Sequence, residues 1–248
     1  DSFDIAFESY RDVSLHDSHP SFDVVLDNAT EKYAFWKAHL PVPRDTFADS
    51  FDKASYITYS SVVKPEGNLR RYAMYMSMNW MTNIWSWDNC FNALGLSTYM
   101  PELAFDQFII FKDLQLPSGV LPDFANNLYS SYSCVKPPVQ GWTYARLMEM
   151  NPYFLKDEIM RPSYDMMAAQ VGYWETYRTD KETGLPYYNH GNDSGMDNAT
   201  VFKSSPSVIA PDLASYMILQ YETLSMLSEK LGIKETDWAD KADILQNT

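Results

Sequence analysis

Apolar residues recur at helical spacing along most of this chain, and no segment of any length alternates apolar and polar residues as a strand would. In residues 24–39, Val24, Leu26, Tyr33 and Trp36 belong to such a pattern, which ends at Pro41. About eight segments are predicted to be helices: 24–39, 46–63, one from near Asp88, 101–116, 137–150, 154–178, 211–231 and 235–248. The pattern therefore predicts an all-α fold.

Three long stretches between the predicted helices have the composition of loops. They cover about residues 64–86, the sequence LPSGVLPDFANN at 116–127, and LPYYNHGNDSGMDNAT at 185–200. Long ordered loops usually carry function, and in a helical array that alternates short turns with long loops the long ones collect at one end. We therefore expect the site at that end. The same organisation predicts a lead-in segment over residues 1–23 and a helical domain over residues 24–248.

Charge and composition exclude several classes of partner. The chain has 19 Lys and Arg against 33 Asp and Glu, so its formal charge is −14 and its pI is about 4.6. This balance argues against nucleic acid and anionic membranes as partners, and no apolar run approaches the ~18 residues that cross a bilayer. Aromatic residues make up 15% of the chain, far too many for a disordered one. The compartment is not determined, with a periplasmic or secreted protein slightly favoured.

Two tryptophans and a carboxylate, Trp85, Trp87 and Asp88, stand together at the start of the third predicted helix. Residues two apart cannot share a helix face, so both indoles can line a cleft only if the segment is a loop. Indole faces stack on the C–H faces of sugars while a carboxylate binds hydroxyls, so the group suits a sugar. The alternative is a pair of core tryptophans with Asp88 as the helix N-cap.

The third long loop contains a second cluster, HGNDSGMDN at residues 190–198. Its two glycines allow sharp backbone turns, and Asp193 and Asp197 are candidates for acid/base chemistry. A calcium loop is one alternative, although the spacing of the oxygen donors does not match an EF-hand. A solvated turn is the other.

The sequence lacks the other common catalytic and metal-binding motifs. The four histidines have no ligand spacing for zinc, and Cys90 and Cys134 are too few for a disulfide framework or a zinc site. No GxGxxG, GxxxxGK or GxSxG motif occurs, so nucleotide binding and serine hydrolysis have no support. We therefore predict no cofactor and no metal.

Five motifs occur in the order found in one enzyme family. They are WSWD with NCFNALG (85–95), PELA (101–104), PPVQGW (137–142), DSGMDN (193–198) and PDLASY (211–216). The set resembles glycoside hydrolase family 63 and its relatives, which include processing α-glucosidase, bacterial α-glucosidases, mannosylglycerate hydrolase and, more distantly, trehalase. The resemblance covers residues 24–248 and implies an (α/α)6 barrel of twelve helices. This chain would hold about eight of them, so the barrel would be incomplete, and either further sequence of the same gene product or a second chain or copy would complete it.

The resemblance also assigns roles to individual residues. In the family pattern the last acid of Ser-Gly-x-Asp is the general acid, which falls on Asp197 here. The residues that would bind the sugar are Trp85, Trp87, Asp88, Gln140 and Gly195. Two motifs depart from the pattern, since Asp193 stands where many relatives have Glu and residues 214–215 are Ala-Ser where many have Asn-Ala. Either change could alter the subsite or the choice of substrate, but neither removes the acid.

Hydrolysis with inversion, which the resemblance implies, needs a protonated acid and a carboxylate base about 6.5–9.5 Å apart on opposite faces of the sugar. Asp193 and Asp197 are a poor pair because both would lie on one side of the sugar. The family's base lies downstream of residue 248, so none is assigned here. Keeping Asp197 protonated near neutral pH would require desolvation by aromatic side chains such as Tyr187, Tyr188 or Trp87.

The leading hypothesis is an inverting glycosidase that acts on an α-glucoside or a short α-linked oligosaccharide. A noncatalytic carbohydrate-binding remnant and an α-mannoside hydrolase of the mannosylglycerate type are alternatives that share a carbohydrate partner. A purely structural helical array is the third alternative, and it predicts no sugar binding.

Overall fold

The computed structural model describes residues 3–7, 18–234 and 236–248. The chain divides into two units, residues 1–59 and 60–248. Much of the predicted lead-in, together with His16 and the predicted start of the last helix at residue 235, lies outside the described residues. The predicted boundary between lead-in and helical domain stays a prediction.

Eight α-helices in the described residues confirm the predicted all-α class. They are α1 Phe22–Ala38, α2 Ala48–Ser61, α3 Asp88–Leu96, α4 Pro101–Asp113, α5 Gln140–Met150, α6 Asp157–Tyr177, α7 Pro211–Leu231 and α8 Trp238–Gln246. The predicted start of the sixth helix near residue 154 is instead a short 3-10 helix, Pro152–Leu155, whose first turn is capped by the Asn151 side chain. The fifth helix begins at Gln140, after the two prolines that were predicted to open it.

Short strands between the helices are the feature that the sequence pattern did not predict. They are β1 Val62–Val63, β2 Ala73–Met74, β3 Ile84–Trp85, β4 Phe124–Ala125, β5 Ser130–Ser131, β6 Tyr187–Tyr188 and β7 Val208–Ile209. All pairs are antiparallel, in the orders β1-β2, β3-β4-β5 and β6-β7. A strand of two residues has no alternation to detect, which is why periodicity missed them.

In the unit of residues 1–59, α1 and the first part of α2 pack through aromatic side chains. The ring centroids of Tyr33 and Tyr59 are 5.2 Å apart, and those of Trp36 and Tyr59 are 5.7 Å apart. Trp36 is buried, whereas Val24 and Leu26, predicted on the same apolar face, are about half exposed. The amphipathic pattern therefore predicted the helix correctly but only part of its burial.

In the unit of residues 60–248, alternate helices pack side by side. α3 contacts α5, α5 contacts α7, and α4 contacts α6, while α7 also packs on α6 and α8. The first residues of α3, α5 and α7 lie at one end of this array. The Gln140 side chain, at the start of α5, donates a hydrogen bond to the Ser86 carbonyl just before α3. The ring of Tyr216 in the first turns of α7 lies 5.5 Å from that of Trp87. Long loops lead into all three helices at this end, as predicted.

The core of this unit lies between neighbouring helices. Phe108 of α4 and Tyr144 of α5 are almost fully buried, with ring centroids 5.3 Å apart, and Trp174 of α6 is fully buried. The α5–α7 contact is especially close, since a Cβ on Gly141 would lie 2.3 Å from Gln220 Cα. Only glycine permits the two backbones to approach this far.

A chain of three buried glutamines joins α5, α6 and α7. Gln220 Nε2 donates to Gln170 Oε1 (2.9 Å), and Gln170 Nε2 donates to Gln140 Oε1 (2.9 Å). Gln220 Oε1 in turn accepts the backbone N–H of Gly141 (3.0 Å). Buried amides need such partners, so the chain fixes the rotation of the three helices relative to one another.

Candidate active site

The segment of residues 85–88 is held by hydrogen bonds from three parts of the fold. The backbone N–H of Trp85 donates to Asn89 Oδ1 of α3 (3.1 Å), and that of Ser86 donates to a carbonyl in the loop after α4 (3.1 Å). The carbonyl of Ser86 accepts from Gln140 Nε2 at the start of α5 (2.9 Å). The segment is thus fixed as a strand end and turn that precede α3.

The two indoles of this segment contact different neighbours. The Trp85 ring lies 5.2 Å from that of Phe124, whereas the Trp87 ring lies 5.7 Å from Phe91 and 5.5 Å from Tyr216. Both indoles are partly exposed. Neither indole is therefore a fully buried core tryptophan, and their predicted role in lining a sugar cleft stays a prediction.

Asp88 is the first residue of α3, and Trp87 occupies the N-cap position. The alternative role of Asp88 as the N-cap is therefore wrong. Burial raises the pKa of Asp88 above its ordinary value, its own backbone N–H and the charge of Lys136 lower it, and the charge of Asp197 raises it further. The influence of Lys136 and Asp197 on one carboxylate places all three charges at the same end of the array.

Asp193 holds the third long loop in place through hydrogen bonds to its carboxylate. Its side chain is 1% exposed and forms an ion pair of 2.9 Å with Arg178 Nη1. The backbone N–H groups of Val135, Asn189 and His190 also donate to the carboxylate at 2.9–3.1 Å. Four hydrogen bonds occupy this carboxylate, so Asp193 organises the loop.

Gly195 brings this loop against the tryptophan segment. Its φ is +72°, in the left-handed region that favours glycine, and a Cβ would lie 3.3 Å from Trp87 Cε2. The glycine predicted to bind sugar is thus packed on the Trp87 ring. The contact joins two motifs that are more than 100 residues apart in sequence.

Asp197 lies two residues beyond this contact, and it is exposed. It lines a cleft together with His190, Gly191, Asn192, Phe202, Lys203, Ser204, Ser205 and Pro206. The charge of Asp197 acts on the carboxyl groups of both Asp88 and Asp123. The predicted acid therefore faces open space at the edge of a group of carboxylates.

The aromatic cover expected over Asp197 is not formed by the two tyrosines. Tyr188 is fully buried, and its hydroxyl donates to Asp212 Oδ2 (2.7 Å) while its ring packs 6.5 Å from Trp174. Tyr187 turns its hydroxyl to a carbonyl at the end of α6 (3.3 Å). In strand β6 successive side chains point to opposite faces, and neither residue covers the exposed Asp197.

A buried ion pair, Asp123 and Lys136, lies beside these residues. Lys136 Nζ is 3.5 Å from Asp123 Oδ1, and the two side chains are about 10% exposed. Lys136 Nζ also donates to the backbone carbonyl of Asn192 in the loop that carries Asp197. Burial raises the pKa of Asp123, and the charge of Lys136 opposes that rise.

Gln140 is 1% exposed, and its amide is engaged on both sides, by the Ser86 carbonyl and by Gln170. In this chain it therefore supports the segment of residues 85–88 from within the core. Its predicted role in lining the sugar subsite stays a prediction.

Over the described ranges, no group of three or more His, Cys, Asp or Glu side chains is arranged to hold a metal ion. No helix within those ranges is both long and apolar enough to span a membrane.

A sequence model of the Mannosylglycerate hydrolase MGH1-like glycoside hydrolase domain matches residues 81–248, more than half of the chain. The chain belongs to this family. The matched range contains the tryptophan segment, the Asp123–Lys136 pair and the loop with Asp197. A comparison with curated proteins finds no significant match.

Solved structures from Thermus thermophilus share the fold of this MGH1-like domain. An uncharacterized conserved protein has a TM-score of 0.64 and 18% identity over 79% of this chain and 62% of its own. The GH63 mannosylglycerate hydrolase in complex with Tris has a TM-score of 0.61 and 16% identity over 79% and 64%. The same enzyme in complex with glucose has a TM-score of 0.59 and 18% identity over 79% and 62%.

These similarities establish the fold. The helices of the MGH1-like domain form part of an (α/α)6 barrel of the GH63 type, as predicted. The chain spans a little under two thirds of the length of these structures.

The sequence missed two residues of this site in the MGH1-like domain, Asp123 and Lys136. Each lies in a loop, one directly after Pro122 and the other directly before Pro137, where no periodicity marks a position as buried. The available signal was only their position in the two loops between recognised motifs. Their pairing depends on the packing of those loops.

Proposed function

We propose that this MGH1-like domain carries the general-acid half of an inverting α-glycosidase site. Asp197 is the proposed acid, and Trp85, Trp87 and Asp88 form the proposed sugar pocket. The observation that carries the proposal is the packing of Gly195 on the Trp87 ring, which brings the loop with Asp197 to the tryptophan segment. An α-glucoside or a short α-linked oligosaccharide is the proposed substrate.

The proposed chemistry follows from the character of these groups. The indoles would stack on the sugar ring, and the Asp88 carboxylate would accept hydrogen bonds from its hydroxyls. The acid must reach the glycosidic oxygen, so the leaving group would occupy the cleft that Asp197 lines.

Two predicted subsite residues receive positioning roles in this proposal. Gln140 is buried behind the segment of residues 85–88 and holds the Ser86 carbonyl. Gly195 sets the approach of the acid's loop to Trp87. Neither needs to touch the sugar to affect its binding.

An inverting mechanism also needs a carboxylate base about 6.5–9.5 Å from the acid. Asp193 does not fit that role because four hydrogen bonds use its carboxylate, one of them within the ion pair with Arg178. We propose that the base comes from outside these 248 residues, from further sequence or from a second chain that completes the barrel.

The test is hydrolysis of a panel of α-glucosides and α-mannosides, with the anomer of the released sugar identified by ¹H NMR. This chain, supplied with the further sequence or second chain that provides the base, is compared with its Asp197→Asn variant and with the control Glu182→Gln, an exposed acid outside the site. Release of β-anomer by the chain and the control, with loss in Asp197→Asn, supports the proposal. Release of α-anomer, or unchanged turnover in Asp197→Asn, contradicts it.

Binding measurements distinguish the alternatives when turnover is absent. Sugar binding without turnover, followed by calorimetry or tryptophan fluorescence, supports a noncatalytic carbohydrate-binding role or a site that lacks its base. Absence of both turnover and binding would leave a structural helical array.

An α-mannoside with an anionic leaving group, as in mannosylglycerate, is the second candidate substrate. The observation that favours it is the lining of the Asp197 cleft, which includes Lys203, His190 and two serine side chains. A lysine beside the leaving group would attract a carboxylate. Lys203→Met is then expected to weaken binding of the anionic α-mannoside about tenfold without affecting a neutral α-glucoside, and equal effects on both would argue against it.

A further inference from the structure

Asp123 is fixed next to the proposed sugar pocket by its backbone. Its carbonyl accepts the N–H of Ser86 (3.1 Å), and its N–H donates to the carbonyl of Ser131 (2.8 Å). Ser86 lies between the two indoles of the proposed pocket. The backbone of Asp123 is therefore hydrogen-bonded directly to the segment that forms the proposed pocket.

One oxygen of the Asp123 carboxylate, Oδ1, lacks the hydrogen bonds that a buried carboxylate oxygen normally accepts. The residue is 6% exposed, and its Oδ1 atom is fully buried without a hydrogen bond of normal length. Lys136 Nζ lies 3.5 Å away, which is an ion-pair distance but longer than a normal N–H···O hydrogen bond. Asp193, at a similar depth, accepts four hydrogen bonds. Oδ1 itself is closed to a ligand, but the Asp123 side chain is 9% exposed, so it keeps a face that a substrate hydroxyl can reach.

The charges around Asp123 belong to the proposed site. Asp197 and Asp193 act on its carboxyl group, and Lys136 acts on both Asp123 and Asp88. Lys136 also holds the Asn192 carbonyl in the loop that carries the proposed acid. The Asp123–Lys136 pair thus lies between the segment of residues 85–88 and that loop.

We propose that Asp123 is a further sugar-binding residue, whose carboxylate accepts a hydrogen bond from one substrate hydroxyl while Lys136 holds it in place. This inference rests on the proposed function. The pair also gives a reason for specificity, because a buried acceptor rejects a sugar that lacks the matching hydroxyl or places it on the other face.

A structural ion pair is the competing interpretation, and a panel of ligands separates the two. The experiment titrates the full chain with methyl α-glucoside, methyl α-mannoside and the 2-, 3-, 4- and 6-deoxy forms of whichever binds. Asp123→Asn is the test variant. Asp106→Asn is the matched control, since Asp106 is a part-buried carboxylate paired with Arg71 (3.7 Å) outside the proposed site.

We expect Asp123→Asn to weaken binding of the parent sugar about 10- to 100-fold, the range of a hydrogen bond to a charged group. One deoxy sugar should bind wild type as weakly as the parent binds Asp123→Asn, with no further loss in the variant. Asp106→Asn should bind within about twofold of wild type. Unchanged binding by Asp123→Asn, or an equal loss for every deoxy sugar, would overturn the inference and leave the proposed function in place.

A second variant covers the case in which Asp123→Asn does not fold. Asp123→Glu keeps the charge and the partner Lys136 but moves the carboxylate by one methylene. It should retain the thermal midpoint within a few degrees, bind the parent sugar about tenfold more weakly, and show the same dependence on one hydroxyl. Wild-type affinity in this variant would overturn the inference, and absence of binding by the wild-type chain would overturn the proposed function as well.

Discussion

Gly141 offers the sharpest test of how the helices that carry the site are packed. It is the second residue of α5 and lies against α7. In Gly141→Ala, the new methyl group would lie 2.3 Å from Gln220 Cα and 2.8 Å from Gln220 Cβ. Carbon atoms make contact at about 3.5 Å, so the two helices must separate by about 1 Å, because backbone atoms cannot turn away as a side chain can.

The expected cost combines three terms. Forced overpacking of a core costs about 1–3 kcal/mol, and separation of the helices strains the Gly141 N–H bond to Gln220 Oε1, which contributes about 1 kcal/mol. The higher helix propensity of alanine offsets up to about 1 kcal/mol of this destabilisation. The free energy of unfolding should therefore fall by about 2 kcal/mol, which lowers the thermal midpoint by about 4–8 °C in a domain of this size.

Gly172→Ala is the matched control, because the same methyl group is added to a helix interior with no atom within 4 Å. Only the propensity term remains there, so stability should rise by up to about 1 kcal/mol. Circular dichroism melts of both variants and of wild type measure the two shifts. Shifts of the same sign, or a change below about 1 °C in Gly141→Ala, would refute the close α5–α7 contact.

Two further predictions concern charged groups of the site. Asp193→Asn should lower the free energy of unfolding, measured in urea, by about 3–5 kcal/mol, because Arg178 is left buried without its counter-charge. The exposed control Glu182→Gln should change it by less than about 0.5 kcal/mol. A loss below about 1 kcal/mol in Asp193→Asn would contradict the role of Asp193 in holding the loop. Burial raises the pKa of Asp88 above 3.8, so its ionisation costs stability as pH rises from about 4 through the folded-state pKa. Asp88→Asn should therefore gain stability relative to wild type over that rise and keep the gain at pH 7, and a difference that is constant with pH would contradict this.

The order of helices was predictable because it depends on local rules. Apolar spacing, the proline that opens α4 and the glycine that ends α7 act within a few residues, and the structure has a helix for each predicted segment. The two-residue strands were not predictable, since they form only where loops meet. The half-exposed Val24 shows that an amphipathic pattern fixes a helix without fixing how much of its apolar face is covered.

The candidate site likewise has features that the sequence predicts and features that depend on the folded structure. Residue type and motif order determined that this sequence resembles a glycoside hydrolase and which residues to consider, because indoles, carboxylates and glycines carry their chemistry in their identity. They did not determine that Asp193 is buried and bound while Asp197 is exposed, although the two differ by four positions in one loop. That difference comes from Arg178 and three backbone N–H groups that only the folded chain brings together.

The sequence by itself determined the all-α class, the helix order, the acidic character and the family. Tertiary structure alone decided the contact of Gly195 with Trp87, the burial of Gln140 and the pairing of Asp123 with Lys136. The physical reason is range: helix propensity and capping act over a few residues, whereas these contacts join loops that come together only when α3, α5 and α7 align their first turns at one end of the array.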